Sequence, residues 1–243
     1  MSSLKEEIAK IRTELRKKAS KEYALSLQRF FKTKEGEYGY GDVFIGVRIP
    51  DIRQIAKIYK VQDLKIVKEF LISKIHEERT LALLFLVQAF SKSGEKEQEK
   101  IVTFYLKNTK HINNWDLVDL SAHKILGPYY FERDRSILYD LVESKNLWER
   151  RIAIIASFHF ILKSDFHDSL KLAKILLKDK EDLIHKATGW MIREIWKRSD
   201  GALVEDFLKR NYKDLSRTTL RYAIERMPEN KRKNFLLGKF LKI

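Results

Sequence analysis

The residue that most demands a chemical explanation is Asp119. It is preceded by Leu117 and Val118 and followed by Leu120, Ser121 and Ala122, which puts a carboxylate in a largely apolar helical stretch. An acid in such a place needs a partner or a task. Trp115 lies four residues earlier, about 40° away on the same helical face. A structural aspartate paired with a neighbouring Arg or Lys is the alternative. The stretch from Ile184 to Lys197 sorts its faces in a similar way. Ile184, Ala187, Met191 and Ile195 form one apolar stripe, while Lys186, Trp190, Arg193 and Lys197 fall within about 60° of one another on the other side. Trp190 therefore stands among cations, in register for a ligand-facing surface, whereas an arbitrary helical tryptophan belongs to a core. Aromatic rings interleaved with Lys and Arg suit contact with nucleotides.

Other chemistries are absent from the pattern. The chain has no Cys, which excludes a disulfide scaffold, a thiolate metal site and a cysteine nucleophile together. Its six His, including His159 and His167, show no ligand spacing such as His-Glu-x-x-His, so no metal and no cofactor is expected. Gly36, Gly39, Gly41 and Gly46 fall between Glu35 and Pro50. The segment reads as an ordered loop and not as a phosphate cradle. Gly39-Tyr40-Gly41 lacks the third glycine of a dinucleotide site, and no Lys-Ser/Thr follows as in a P-loop.

These residues must be positioned by helices. Only 3 Pro and 9 Gly serve 243 residues, too few for a many-stranded sandwich or barrel, while 44% apolar residues suffice for a sizeable core. Helices are expected at 3–18, with Ser2 or Ser3 as cap, at 20–32, capped by Ser20, and from Pro50 or Asp51 onward. From about residue 64 the chain repeats. Aliphatic residues opening each second helix, Ile75, Ile112, Leu147, Leu183 and Leu215, recur at intervals of 37, 35, 36 and 32 residues. Each unit holds a first helix such as 137–143, a polar turn, and a longer helix such as 148–162. The expectation is an all-α fold: an α-α superhelix, or solenoid, of HEAT-like helical hairpin repeats whose second helices line a concave face. An irregular helical bundle is the alternative. One domain spanning 1–243 is expected, with N-terminal helices and the Gly-rich loop at 1–63 and about five repeats at 64–243. The N-terminus lacks the form of a signal peptide and no uncharged apolar run approaches 18 residues, so a cytoplasmic protein away from the membrane is expected.

Forty-nine Lys plus Arg against 34 Asp plus Glu leave a net charge of +15. The cations crowd the first turns of second helices: Arg79, Arg150 with Arg151, His185 with Lys186, and Arg217. Cations are disfavoured there by a few tenths of a kcal/mol each unless an anion sits at the helix end. A row of such turns, one per repeat, suits a nucleic-acid backbone. The repeat register adds that Asp119 and Trp190, each seven residues past its anchor, occupy equivalent positions, with Ile154 between them.

Asn114-Trp115-Asp116-Leu117-Val118-Asp119, then Asn146-Leu147-Trp148-Glu149-Arg150-Arg151, then Lys186-Ala187-Thr188-Gly189-Trp190, resemble the AlkD-type family of alkylpurine DNA glycosylases. So does the loop from Gly36-Glu37-Tyr38-Gly39 to Phe44-Ile45-Gly46-Val47-Arg48-Ile49-Pro50, and the likeness covers nearly the whole chain in order. The resemblance implies a HEAT-like monofunctional glycosylase acting on N3-methyladenine and N7-methylguanine in double-stranded DNA. Its catalytic aspartate matches Asp119, its two sugar-contacting tryptophans match Trp115 and Trp190, and its phosphate-contacting arginine matches Arg151. Arg150, Lys186, Arg193 and Arg217 join Arg151 as expected DNA contacts. A family tyrosine falls at Phe30, which keeps an aromatic contact with DNA but removes a hydroxyl, and an aromatic pair before Lys186 is replaced by Asp182-Leu183.

The chemistry fits those residues. A cationic alkylated purine leaves without a general acid, and one carboxylate near C1′ stabilises the sugar cation and orients water while tryptophan faces exclude solvent. A monomer with alkylated duplex DNA as partner is expected. A non-catalytic HEAT-like module binding DNA or RNA is the second reading, and a protein–protein scaffold a third. The acid in register with the tryptophans favours the enzyme.

Overall fold

In the computed structural model residues 4–241 are described, and they form an all-α protein. The expected caps Ser2 and Ser3 lie outside the described residues. The chain divides into two compact units, one up to Ser121 and one from Ala122.

The first unit holds α1 (Leu4–Lys17), α2 (Lys21–Phe30), α3 (Ile49–Tyr59), α4 (Leu64–Leu71), α5 (His76–Lys92), α6 (Glu95–Lys107) and the start of α7 (Trp115–Tyr130). Ser20 caps α2 by accepting from the Tyr23 amide, and Asp63 caps α4 by accepting from Lys65. Such caps satisfy amides that the first helical turn leaves open. Pro50 sits in the first turn of α3, where its missing N–H costs nothing. Every residue of α5 from His76 to Leu83 is buried, as are Phe85, Leu86, Ala89 and Phe90. A helix buried on all sides is a central one, and α3, α4 and α6 all pack against it. Its first turn is nonetheless polar, so those groups must be satisfied inside the protein.

The glycine-bearing segment between α2 and α3 is an ordered loop, as its composition suggests. Val43 pairs with Ile75 in a single parallel bridge: the Val43 amide donates to Lys74 O and the His76 amide to Val43 O, at 3.1 and 2.8 Å. At Gly46, with φ of +80°, a Cβ would lie 2.0 Å from Ser20 O, so only glycine lets the loop cross the start of α2. The amides of Ile45, Gly46 and Val47 donate to the Glu77 carboxylate at 2.7–3.2 Å. The loop's amide concavity is therefore filled by an internal anion, which is why it is no phosphate cradle.

The second unit continues α7 and adds α8 (Ser136–Val142), α9 (Leu147–Ala156), α10 (Phe158–Leu162), α11 (His167–Leu176), α12 (Asp182–Trp196), α13 (Ala202–Arg210), α14 (Arg217–Ala223) and α15 (Glu229–Leu237). The second helices α9, α12 and α14 pack side by side and the first helices α8 and α11 back them, the stacking of helical hairpins that defines an α-solenoid. On α12 the stripe of Ile184, Ala187, Met191 and Ile195 is fully buried, each large side chain contributing roughly 1.5–3 kcal/mol. Gly189 lets α14 come close, since a Cβ there would meet Tyr222 Cβ at 2.5 Å and Thr219 O at 2.6 Å.

One expected helix is divided. The 148–162 stretch forms α9 and α10, interrupted at Ser157. The buried Ser157 hydroxyl donates back to Ile154 O at 2.7 Å, and its carbonyl accepts from Ser169 at 3.3 Å. Such back-bonding bends a helix.

Candidate functional site

The first turn of α7 is fixed before its functional residues appear. Asn114, fully buried, accepts the Trp115 amide on Oδ1 at 2.8 Å and donates from Nδ2 to Asp42 at 3.2 Å. Trp115 is half-buried. Its ring stacks on Phe31 with centroids 5.3 Å apart and planes 18° apart, and its indole N–H donates to the Tyr38 hydroxyl at 3.3 Å. Phe30, 62% exposed, meets the Trp115 ring edge-on at 5.9 Å. The structure thus brings Phe30 and Trp115 together. One turn further along α7, Asp119 is half-buried between the core residues Leu117 and Val118 and the half-buried Leu120. Its charge reaches the buried Tyr105: burial pushes that phenol's pKa up and Asp119 pushes it further, while a 2.9 Å hydrogen bond to Ser121 opposes both.

Under this aromatic face lies a buried polar cluster that sequence reasoning passed over. His76, 3% exposed, bridges two carboxylates: Nδ1 is 3.0 Å from Asp42 Oδ2 and Nε2 is 2.7 Å from Asp116 Oδ2. Arg79 pairs with the other Asp42 oxygen at 2.6 Å. Burial alone pulls an imidazole's pKa down, but the Asp116 charge and the hydrogen bonds to Asp116 and Asp42 outweigh burial and the nearby Arg79, raising His76 to about 9. Burial likewise pushes the Asp42 carboxyl up, and the His76 hydrogen bond and Arg79 charge more than reverse it, leaving it below the usual range. His76 is therefore an imidazolium at neutral pH, donating to both acids. The signal was present: His76-Glu77-Glu78-Arg79-Thr80 runs directly into Leu81-Ala82-Leu83, five polar residues at the mouth of an apolar helix.

The early-turn cations each have a partner within the protein. Arg79 is buried against Asp42. Arg150 grips Asp179 through Nε at 2.6 Å and also donates to the carbonyls of Ser144 and Lys145. Arg151 is 5% exposed and donates to Leu183 O at 2.5 Å. The His185 ring donates to Asp179 O at 2.6 Å, and Arg217 to Leu236 O at 2.9 Å. Lys186, 41% exposed at the side chain, pairs with Asp182 at 2.8 Å. Asp182, whose pKa the Lys186 hydrogen bond lowers first, also accepts from Thr218 at 3.0 Å. The departure at 182 thus has a local purpose: it tethers α14 to the start of α12.

Trp190 is half-buried and lies outside the core stripe of α12. Its ring lies 5.7 Å from Phe158, over which Arg198 is placed at 5.7 Å. Arg193 pairs with Glu225 in the turn that follows α14.

Among known families, the one described as DNA alkylation repair enzyme matches residues 11–227. The chain belongs to that family. A solved structure, described as a predicted DNA alkylation repair enzyme from Enterococcus faecalis, superposes with a TM-score of 0.68 at 18% identity, covering 87% of this chain and 98% of that one. At that identity the likeness concerns the fold. No curated protein matches the sequence. In this member of the family, no described helix is long and apolar enough to cross a membrane. Nor, among the described residues, does any group of three or more His, Asp or Glu converge as metal ligands. His76 lies between its two acids and donates to each.

Proposed function

We propose that this DNA alkylation repair enzyme is a monofunctional glycosylase, a hydrolase that cuts the N-glycosidic bond of cationic alkylated purines such as N3-methyladenine and N7-methylguanine in duplex DNA, acting as a cytoplasmic monomer. The observation that carries the reading is the α7 face, where the half-buried Asp119 stands one turn from Trp115, itself braced by Phe31 and edged by the exposed Phe30. The C1′–N bond breaks with its electron pair going to the purine, which departs neutral because it was cationic. The sugar is left as an oxocarbenium ion. The Asp119 carboxylate stabilises that cation and orients a water, which adds at C1′ and gives up a proton to the carboxylate or solvent. The Trp115 face favours positive charge on the sugar and excludes bulk water. Roles for Trp190 as second sugar contact and Arg151 as phosphate contact rest on the resemblance of their motifs, and the half-buried Trp190, in helical register with Lys186 and Arg193, supports a nucleotide-facing surface.

The overall charge of +15 supports long-range attraction to DNA. The test is release of N7-methylguanine from methylated duplex DNA by the purified protein: free base appearing with time supports the proposal, and methylated DNA left intact while still bound by the protein points to a non-catalytic DNA-binding module instead.

A further inference from the structure

Nothing in the proposed reaction uses His76, Asp42 or Asp116, yet they make a closed buried circuit directly behind Trp115. From Trp115, the backbone amide donates to Asn114, Asn114 to Asp42, and His76 to both Asp42 and Asp116, which returns the circuit to the residue after Trp115. A second connection runs through rings. Trp115 stacks on Phe31, Phe31 on Phe44 with centroids 5.0 Å apart, and Phe44 on the His76 imidazole at 4.5 Å and 24°. Both routes leave Trp115 and end on the same side chain.

We infer that His76 is the positioning residue for Trp115: by bridging Asp42 and Asp116 and backing the Phe44–Phe31 stack, it fixes the first turn of α7 and the plane of the indole that meets the substrate. The inference deepens the glycosylase reading and rests on it only for what Trp115 does.

The charged groups facing His76 are Asp42 from the loop, Asp116 from α7 and Arg79 from its own helix, whose Nη2 lies 3.3 Å from Nδ1. Two carboxylates and two cations balance. Remove the imidazolium proton and one ring nitrogen presents a lone pair to a carboxylate at hydrogen-bond distance, with a net negative charge left in a water-poor space. The bridge must then open on the Asp42 or the Asp116 side, and the Trp115 turn loses one of its two supports. The proton leaves near pH 9.

The test reads Trp115 directly and separately from activity. Protein containing 5-fluorotryptophan is titrated from pH 7 to 10 by fluorine NMR, with the Trp115 resonance assigned by its loss in Trp115→Phe, in a Tyr38→Phe background that removes the phenol facing the indole. The Trp115 resonance should move with a midpoint near 9 and should not titrate in His76→Gln. On methylated DNA, His76→Gln should lower kcat by about ten- to a hundredfold, the range expected of a small misplacement, with duplex affinity unchanged. His76→Gln with Asp116→Asn restores neutrality and an amide–amide bridge, and should recover most of the lost kcat. A Trp115 resonance that ignores both pH and His76 overturns the positioning role whatever the activity. A double variant as impaired as the single one, with Trp115 displaced in both, overturns it too. If the resonance behaves as stated and the wild type releases no methylated purine, the glycosylase reading fails while the positioning of Trp115 stands.

Discussion

Replacing His76 with Gln should change how the protein's stability depends on pH, in a direction the cluster dictates. The unperturbed imidazole titrates near 6.5 and the folded one near 9. A group whose folded pKa is raised gives stability that is fully present below its unfolded pKa and lost as pH climbs through its folded one. The wild type should therefore lose stability between about pH 6.5 and 9, relative to a variant without the imidazole. A gap of two to three pKa units, at 1.36 kcal/mol each, amounts to about 3 kcal/mol. For a chain of this length that corresponds to roughly 6–12 °C in melting temperature. The assay is thermal unfolding by circular dichroism at half-unit steps from pH 6 to 10, wild type against His76→Gln. The curves should be furthest apart at pH 6 and converge toward pH 10, which subtracts the contribution of lysines and tyrosines common to both. Parallel curves, with a constant offset at every pH, would refute the imidazolium bridge.

Arg150→Ala should destabilise by about 3 kcal/mol, because it strands the buried Asp179 carboxylate; a melting temperature unchanged, with duplex affinity reduced, would instead mark Arg150 as a phosphate contact. Affinity for undamaged duplex should fall with salt at a log–log slope of about −0.9 per neutralised phosphate, checked by fluorescence anisotropy from 50 to 300 mM salt (values typical of such titrations), and a flat profile removes the electrostatic contribution. Trp190→Ala should slow base release while melting close to wild type, since the residue is only half-buried and off the core stripe; a core tryptophan would instead cost roughly 3–5 kcal/mol.

The hairpins were legible in the sequence because each second helix begins within three residues of its aliphatic anchor. Ile75 precedes α5 by one residue and Leu147 opens α9, while Ile112, fully buried, lies three residues before α7. Short-range periodicity carries that information. The face of α12 was legible for the same reason, since a stripe is a property of one helix alone. What stayed hidden is long-range pairing. His76 meets Asp42 from 34 residues away and Asp116 from 40. Two early-turn arginines find partners about one repeat ahead: Arg150 reaches Asp179, 29 residues on, and Arg151 reaches Leu183, 32 on. A cation at a helix start reads the same in sequence whether its anion is a phosphate from outside or a group of the following repeat. The break at Ser157 was hidden as well, because serine continues an apolar helical pattern until its hydroxyl turns back on Ile154.

The most direct test of the Asp119 assignment is single-turnover release of N7-methylguanine from methylated duplex by wild type and Asp119→Asn. The amide keeps the shape of the side chain and removes the charge that faces the developing sugar cation. Release should slow by at least about tenfold, equivalent to roughly 1.4 kcal/mol of barrier, while melting temperature and affinity for undamaged duplex stay close to those of the wild type. Equal rates for the two proteins would contradict the role given to Asp119.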